Sequence, residues 1–322
     1  MRVAVLAGGR SSEHEVSLAS AASVREGLER AGHEVLTVEI ARDGGWSCDG
    51  EPVTLAPGAG LLGADVVFPV LHGPFGEDCT VQGLLETIGV PYTGAGVLCS
   101  ALCMDKALFK ELMASRGLPQ VESAALRRGA DLGAVVERLG LPLFVKPARL
   151  GSSVGISKVA AAEELPAALG LSFEHDPVAL VERMSSGMEV ECSVIGNGEL
   201  TVSQPSEIVA HADWYDYEAK YTPGGMDFVM PPRLEPEVIE RVRELAGEVY
   251  ASVGCAGFAR VDFFVEDGER VLVNELNTIP GFTETSGFPK MFEASGIPFP
   301  ELVDRLLQLA LERHREESAY RY

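Results

Sequence analysis

Four polar side chains near the end of the chain have the chemistry of a site that holds a divalent cation and an anion. Arg260 and Asp262 lie in one apolar run, and Glu275 and Asn277 lie in the next. Because successive side chains of a strand point to opposite faces, the members of each pair share a face. Carboxylate and amide oxygens suit Mg²⁺, and a guanidinium suits developing negative charge. The alternative is a solvated outer face with incidental ion pairs.

The turn between these two runs decides whether both pairs share one face. Residues 266–269 read Glu-Asp-Gly-Glu, which is a hairpin signal. A two-residue turn, at either Asp267-Gly268 or Gly268-Glu269, pairs residues whose numbers have an odd sum and places all four groups on one face. A three-residue loop without a bulge gives an even sum and separates them.

A second pattern is Lys146-Pro147 followed by the Gly/Ser loop 151–155. Glycine lets the backbone approach a ligand closely, and successive N–H groups can hold phosphate. The loop is not a P-loop, since Gly-Lys-Ser/Thr is missing and a strand follows. An ordinary hairpin turn is the alternative. However, Lys146 ends an apolar strand, where a solvated charge is less expected.

Two further residues are candidates near the beginning of the chain. Ser12 and Glu15 have the spacing of a helix capping box, so Glu15 is either a capping residue or an anchor for a substrate ammonium. His72 ends a buried strand and is either a ligand contact or a structural histidine. The turn at Gly8-Gly9 lacks the glycine spacing of a dinucleotide site.

The elements that must position these residues follow an α/β pattern. Short apolar strands between helices in the first hundred residues indicate a parallel sheet with covered faces. The predicted strands are 3–7, 34–40, 65–71, 143–147, 156–159, 179–183, 189–195, 258–266 and 270–277. The predicted helices are 12–30, 80–88, 104–116, 161–169, 236–253 and 300–313, and the predicted loops are 41–63 and 210–232.

Composition narrows the class of protein. The chain has 322 residues, of which 46% are apolar, and a net charge of −22. This excludes wholesale disorder, and so acidic a chain is a poor binder of nucleic acid or anionic membrane. No apolar run reaches a membrane span, and no signal peptide is recognisable. The six cysteines lack a Cys-x-x-Cys pair, so we expect reduced, mostly buried thiols in a cytoplasmic protein rather than a zinc site.

Taken in order, these motifs resemble the D-alanine–D-alanine ligase family of the ATP-grasp fold. The resemblance covers nearly the whole chain and rests on long, specific segments. They are 8–9 with 12–17, 72–78, 91–94, 104–106, 146–147, 151–155, 215–221, 260–262, 274–283 and 286.

The resemblance implies an α/β fold with a Rossmann-like N-terminal domain (1–103) followed by a two-part ATP-grasp domain. The central subdomain is 104–182, and the C-terminal subdomain, 183–322, carries the metal site and a lid loop (about 210–232). The resemblance also implies ATP as co-substrate, two Mg²⁺ ions with Mn²⁺ as an alternative, and a homodimer through the first domain. The implied reaction is the ATP-dependent ligation of two D-alanine molecules through an acyl phosphate, and its product, D-alanyl-D-alanine, would serve peptidoglycan precursor synthesis.

The resemblance also assigns roles to individual residues. ATP would contact Lys106, Lys146, Ser153, Glu182, Arg183, Met184, Ser185, Glu189 and Lys220. The metal ions would bind Asp262, Glu275 and Asn277. The D-alanine molecules would contact Glu15, His72 and Ser286, and catalysis would involve Glu15, Ser152, Tyr221, Arg260 and the Gly281 N–H.

Two residues bear on which acceptor the resemblance implies. Tyr221 in the lid favours an amine over a hydroxy-acid acceptor, whereas Gly287 stands where the family usually has a bulkier residue. Met184 stands where an aromatic residue is often found. The alternatives are a ligase with a different D-amino acid or D-hydroxy acid acceptor, and a non-catalytic ATP-binding module.

Overall fold

The computed structural model describes residues 1–151, 154–210, 225–283 and 285–321, which form three sheets with flanking helices. The first part contains β1 (Arg2–Gly8), α1 (His14–Arg30), β2 (Glu34–Ile40), β3 (Trp46–Cys48), β4 (Glu51–Pro52), β5 (Val66–Pro69) and α2 (Thr80–Ile88). The middle part contains α3 (Val97–Met104), α4 (Lys106–Ser115), β6 (Ser123–Leu126), α5 (Leu132–Leu139), β7 (Leu143–Pro147), β8 (Ser157–Val159), α6 (Leu165–His175) and β9 (Ala179–Arg183). The last part contains β10 (Met188–Gly196), β11 (Thr201–Val202), β12 (Ser206–Ala210), β13 (Met226–Val229), α7 (Pro236–Ser252), β14 (Gly257–Glu266), β15 (Arg270–Asn277), α8 (Gly287–Ala294) and α9 (Phe299–Ser318).

The first sheet has the order β4-β3-β2-β1-β5, and β1 pairs in parallel with both β2 and β5. Its central strand β1 is buried on both faces. Val3 and Val5 contact a core that includes α1 and α9, whereas Ala4 and Leu6 contact a core that includes α2. An all-apolar strand needs cover on both faces. The predicted parallel pairing with two covered faces is confirmed for β2, β1 and β5, whereas β3 and β4 add antiparallel strands at the edge.

The other two sheets face each other across a cleft. The middle sheet, β6-β9-β7-β8, is antiparallel and packs on α5 and α6. The last sheet has the order β13-β12-β10-β14-β15, with β11 beside β10, and α7 covers one of its faces. Along β14, buried Val261 and Phe263 alternate with the partly exposed Arg260 and Asp262. The polar face of this sheet therefore remains available to the cleft.

The hairpin between β14 and β15 forms with a three-residue loop. Glu266 pairs with Arg270, so both two-residue turns considered from the sequence are wrong. Asp267 and Gly268 adopt positive φ values of 54° and 74° in this loop. Three residues suit Asp-Gly-Glu because glycine accepts the left-handed conformation without steric cost.

A β-bulge restores the shared face that the three-residue loop alone would have removed. The register shifts between Asp262 and Phe263. Beyond the shift, Asp262 lies opposite Glu275 and Arg260 lies opposite Asn277. A bulge adds one residue to one strand and so reverses the parity of the pairing. The numbers of the paired residues then have an odd sum, so all four polar groups share one face.

The predicted helix 104–116 is wrong at its start. Two helices, α3 and α4, meet at Asp105, which has an extended conformation. Its carboxylate accepts hydrogen bonds from the backbone N–H groups of Ala107 and Leu108, each at 3.1 Å. An aspartate at this position caps a new helix, which explains the break.

The predicted capping box at Ser12 and Glu15 is also wrong. Helix α1 begins at His14, and its N-cap residue Glu13 makes no side-chain capping bond. Instead, the Ser11 hydroxyl accepts from the Glu13 N–H at 3.2 Å and donates to the carbonyl of His72 at 2.7 Å. A contact between distant segments thus replaces the local motif.

Both predicted loops contain short strands. β3 and β4 lie within 41–63, and β13 lies within 210–232, where Phe228 pairs with Ile208 of β12. The first pair extends the parallel sheet at its edge, and β13 extends the last sheet. Residues 211–224 of the predicted lid lie outside the described residues.

The cysteines are free thiols, and four of the six are buried, which agrees with the prediction. Among the helices in the described part of the chain, none combines the length and the apolar character needed to cross a membrane.

Two helical glycines allow a test of the packing between α1 and α9. A Cβ added to Gly27 of α1 would lie 2.8 Å from Cε1 of Phe299, whereas one added to Gly83 of α2 meets nothing within 4 Å. We expect Gly83→Ala to raise the free energy of unfolding by about 0.5–1 kcal/mol, because alanine is the better helix former. Gly27→Ala should instead lower it by about 1–2 kcal/mol, because the helices must separate. Urea unfolding measures both, and equal gains at the two positions would contradict this packing.

Candidate active site

A cavity of about 310 Å³ lies in the cleft between the middle and last sheets. We call it the inter-sheet cavity. Its walls include Lys146 of β7, Asp262 of β14 and Glu275 of β15. Polar residues from two different sheets therefore face the same cavity. Arg260, Asp262 and Glu275 thus border the same cavity as Lys146.

A second cavity, of about 510 Å³, lies between the first sheet and the last. We call it the N-terminal cavity. Glu15 and His72 line it from the N-terminal part, and Gly281 and Ser286 line it from the segment after β15. The residues that border both cavities are Lys106, Gly151, Glu191, Arg260 and Glu275. The two cavities therefore adjoin at a wall of charged side chains.

Arg260 organises this shared wall. Its Nε and Nη2 atoms donate to the two oxygens of Asp262 at 2.7 and 2.8 Å. Its Nη2 also lies 3.3 Å from Oε1 of Glu191. The amide nitrogen of Asn277 donates to Asp262 at 2.9 Å, and Lys106 Nζ lies 3.3 Å from Glu275 Oε2. Each carboxylate at the wall is thus held by a positive or amide group.

Lys146 belongs to a buried group of three charges. Its Nζ lies 2.5 Å from Oε2 of Glu182, and Nζ of Lys110 lies 2.8 Å from the other oxygen. β7 and β9 are adjacent strands, with Glu182 opposite Phe144, while Lys110 reaches the carboxylate from α4. Two lysines on one carboxylate leave a net positive charge beside the inter-sheet cavity.

The pKa values of this group follow from its charges. Burial would raise the pKa of Glu182, but Lys110 and Lys146 lower it to about 2. Burial would lower the pKa of Lys146, but Glu182 and Glu275 raise it above its usual value. Both directions mean that the ionised pair is the stable form at neutral pH. Lys146 is therefore a permanent cation at the cavity wall.

Four of the residues expected to contact ATP line the inter-sheet cavity beside Glu182; they are Arg183, Met184, Ser185 and Glu189. Ser185 donates its hydroxyl hydrogen to Glu266 at 2.9 Å, and this bond ties the segment after β9 to the end of β14. Glu182 borders the same cavity, but its carboxylate is engaged by the two lysines.

Glu15 and His72 lie differently at the N-terminal cavity. The Glu15 carboxylate is largely exposed and forms an ion pair with Arg42, whose Nη2 is 3.1 Å away. His72 is buried, and its Nδ1 lies 3.0 Å from the carbonyl oxygen of Ile279. Burial lowers the pKa of His72, but the hydrogen bond and charge of Glu77 raise it above the ordinary value. His72 combines the structural and the cavity-lining interpretations.

Ser286 is the N-cap residue of α8, and its hydroxyl faces the chain that precedes it. The oxygen accepts from the backbone N–H of Thr283 at 3.1 Å and lies 2.8 Å from the Thr283 hydroxyl. A Cβ at position 281 would lie 2.6 Å from this oxygen and 3.3 Å from the Ser286 Cβ, so glycine leaves room for the Ser286 side chain. Gly281 and Ser286 are thus neighbours, and their roles stay predictions.

Four predicted residues, Ser152, Ser153, Lys220 and Tyr221, lie outside the described residues. Conversely, sequence reasoning missed Lys110, Glu191 and Phe228, all of which line a cavity or contact a predicted residue. Lys110 carried a signal, since it follows Lys106 by one helical turn and lysine is rare in this chain. Glu191 carried one too, since it lies two residues from Glu189 on one strand.

Comparison with known proteins shows the family to which the chain belongs. A family model described as D-ala D-ala ligase C-terminus matches residues 112–308, and one described as D-ala D-ala ligase N-terminus matches residues 2–61 and 54–95. The D-alanine--D-alanine ligase of Solibacter usitatus is 48% identical over 324 residues, which is 100% of this chain and 99% of that protein. The chain belongs to the D-alanine–D-alanine ligase family.

Solved structures of this family share the fold. The D-alanine-D-alanine ligase from Coxiella burnetii matches with a TM-score of 0.90 at 37% identity, covering 99% of this chain and 96% of that one. The VanG D-Ala:D-Ser ligase from Enterococcus faecalis matches with a TM-score of 0.87 at 38% identity, covering 96% of this chain and 99% of that one. The predicted ATP-grasp fold is confirmed. The domain boundaries at 103/104 and 182/183 stay a prediction.

Because two buried lysines hold the Glu182 carboxylate, we expect the free energy of unfolding to depend on pH. The folded pKa of Glu182, about 2, lies below the usual 4.5. Its ionised form therefore stabilises the fold above about pH 4.5, and this contribution is lost as the pH falls toward 2. Lys110→Met removes one of the two attractive charges, and we expect a loss of about 2 kcal/mol at pH 7. The difference from the wild type should shrink steadily between pH 5 and pH 3 in urea unfolding.

Lys158→Met is the matched control, because Lys158 is an exposed lysine on β8. The free energy of unfolding of this variant should differ little from that of the wild type, and the difference should not change with pH. A gap for Lys110→Met that stays constant from pH 7 to pH 3 would show that Lys110 does not act through the Glu182 charge.

Proposed function

We propose that this chain joins two D-alanine molecules to form D-alanyl-D-alanine, with conversion of ATP to ADP and phosphate. The observation that carries the proposal is the shared wall of Arg260, Glu275 and Lys106 between the two cavities. A nucleotide in the inter-sheet cavity and amino acids in the N-terminal cavity would meet only there. Family membership supports the same reaction, since the Solibacter relative bears the ligase name.

The inter-sheet cavity fits a nucleotide. Lys106 and Lys146 place two cations along it, which suits the phosphates of ATP. Ser153 and Lys220 would complete this contact. The adenine and ribose would lie against the segment that follows β9, namely Glu182, Arg183, Met184, Ser185 and Glu189.

The donor set at the shared wall fits a hard divalent cation. Asp262 and Glu275 supply carboxylate oxygens, and Asn277 has an amide oxygen left over because its nitrogen donates to Asp262. In the described part of the chain, no group of three His, Cys, Asp or Glu side chains forms a metal site, so the amide is needed as a ligand. Two Mg²⁺ ions, or Mn²⁺ in their place, would neutralise phosphate charge here.

The reaction divides into two transfers. The carboxylate of the first D-alanine attacks the γ-phosphorus of ATP, which gives an acyl phosphate and ADP. The amine of the second D-alanine then attacks the carbonyl carbon, loses a proton, and phosphate leaves. Positioning and charge neutralisation dominate phosphoryl transfer, and the lysines and Arg260 provide both.

The substrate roles follow the position of each residue. Glu15 would bind the ammonium of the first D-alanine in place of Arg42, with His72 behind it. Ser286 would bind the carboxylate of the second. Arg260 and the Gly281 N–H would stabilise the oxyanion, with Ser152 and Tyr221 closing the site. An acyl phosphate hydrolyses readily, so a lid over the cavity has a purpose.

The product points to the synthesis of peptidoglycan precursors, and therefore to cell-wall formation and cell shape. The substrates of such a step are made in the cytoplasm, so we infer that the chain works there. A homodimer through the first domain also remains a prediction.

The decisive experiment measures phosphate release from ATP with D-alanine, with L-alanine and with neither. We expect release only with D-alanine, together with a dipeptide identified by mass spectrometry. Arg260→Ala should lower the rate by about 10²–10³-fold, because one oxyanion donor typically contributes that much.

Arg305→Ala is the control, since Arg305 is an exposed residue of α9 that pairs with Glu301. Its rate should match the wild type. ATP binding without D-alanine-dependent release would support a non-catalytic ATP-binding module instead, and a near-normal rate for Arg260→Ala would remove Arg260 from the proposed mechanism.

A different acceptor is the second candidate, since the VanG neighbour is titled a D-Ala:D-Ser ligase. Offering D-alanine together with D-serine and D-lactate at pH 7 separates the candidates by product mass. We expect D-alanyl-D-alanine as the main product, because the Solibacter and Coxiella relatives are both named D-alanine–D-alanine ligases. A majority of D-alanyl-D-serine or of the ester would assign the chain to the alternative.

A further inference from the structure

The first helical position of α8 is in contact with an aromatic ring from β13. A Cβ built on Gly287 would lie 2.7 Å from Cε1 and 3.3 Å from Cζ of Phe228. Both residues line the N-terminal cavity, together with Ser286. The edge of the ring therefore occupies the place that a side chain at position 287 would take.

A second group makes position 287 more crowded. The same Cβ would lie 2.7 Å from Oε2 of Glu191, which is itself buried and lies 3.3 Å from Arg260. Gly287 does not have a positive φ, so its backbone does not demand glycine. The need is steric, because the ring and the carboxylate leave no room between them.

The ring of Phe228 is held in this position from two sides. Phe228 pairs with Ile208 of β12, which fixes the strand that carries it. On α8, Lys290 Nζ lies 5.2 Å from the ring centroid, within the range of a cation–π contact. The ring of Phe228 and helix α8 are therefore in contact, and the ring forms an apolar wall beside Ser286.

We propose that Phe228 sets the size limit on the side chain of the acceptor amino acid, and that Gly287 is the positioning residue that admits the ring. This inference rests on the proposed function, in which Ser286 binds the acceptor carboxylate. An acceptor anchored there presents its side chain to the neighbouring surface, which is the edge of Phe228. A methyl group is accommodated, whereas ethyl or propyl groups meet the ring.

The test compares acceptors of increasing length in the complete enzyme with ATP and D-alanine as donor. D-Alanine, D-2-aminobutyrate and D-norvaline compete as acceptors, and fragmentation in the mass spectrometer gives the order of residues in each dipeptide. In Phe228→Ala, we expect the ratio of D-alanyl-D-norvaline to D-alanyl-D-alanine to rise at least about tenfold. Phe228→Leu keeps a smaller apolar wall, should give an intermediate ratio, and serves where the alanine variant fails to fold.

Val229→Ala is the matched control, since Val229 is the next residue of β13 and points to the other face of the strand. Its acceptor profile should equal that of the wild type. An unchanged profile in both Phe228 variants, or norvaline at the first position of the dipeptide, would overturn the proposal. Absence of any D-alanine-dependent dipeptide in the wild type would instead refute the proposed function.

A double-mutant cycle tests the coupling of ring and glycine. Gly287→Ala should raise KM for the acceptor at least about tenfold, because the added methyl displaces the ring, with a smaller change in kcat. Adding Phe228→Ala should restore most of that loss, because the space is then free. Additive effects of the two substitutions on KM would show that they act separately, which contradicts the proposed pair.

Discussion

The antiparallel pairing of β14 with β15 determines how Arg260, Asp262, Glu275 and Asn277 stand relative to one another. A three-residue loop alone would turn Glu275 toward the core, and the bulge between Asp262 and Phe263 returns it to the face of Asp262. Arg260 then holds Asp262 by two hydrogen bonds, and Asn277 holds it by a third. The geometry of the site is thus a property of backbone register, which the side chains reinforce.

The site also has to attract a polyanion within a chain of net charge −22. The chain does this by concentrating its scarce lysines. Lys106, Lys110 and Lys146 all lie at or behind the inter-sheet cavity, and the last two share one buried carboxylate. Buried charges keep their interactions where solvent screening is weak, so a local positive region can persist inside an acidic protein. Glu182 fixes the positions of two cations that would otherwise repel each other.

Sequence patterns predicted much of this arrangement, but contacts between distant segments decided the rest. The limits of β9 and β15 were predicted without error, because short apolar runs between turn residues define them locally. The capping box at Ser12 was wrong because α1 begins only at His14, and the hydroxyl that meets the Glu13 N–H belongs to Ser11, which also bonds to His72, sixty-one residues away. The role of Lys110 required knowing that α4 packs behind β9, and Gly287 shows its meaning only beside Phe228. Local rules thus predict elements, whereas the partners of single side chains depend on the assembled fold.

Because the two cavities share a wall, a reactive intermediate formed there would border both of them. An acyl phosphate formed at Arg260 would lie at the junction and would not need to move before the second amine reached it. Arg260 borders both spaces, so the same guanidinium can face negative charge in the phosphoryl step and in the acyl step. The opposite side of the N-terminal cavity depends on a close approach at Gly281, where an added Cβ would lie 2.6 Å from the Ser286 hydroxyl oxygen. The glycine at position 281 is therefore as much a part of the proposed site as its charges, because it leaves the space that the Ser286 side chain occupies.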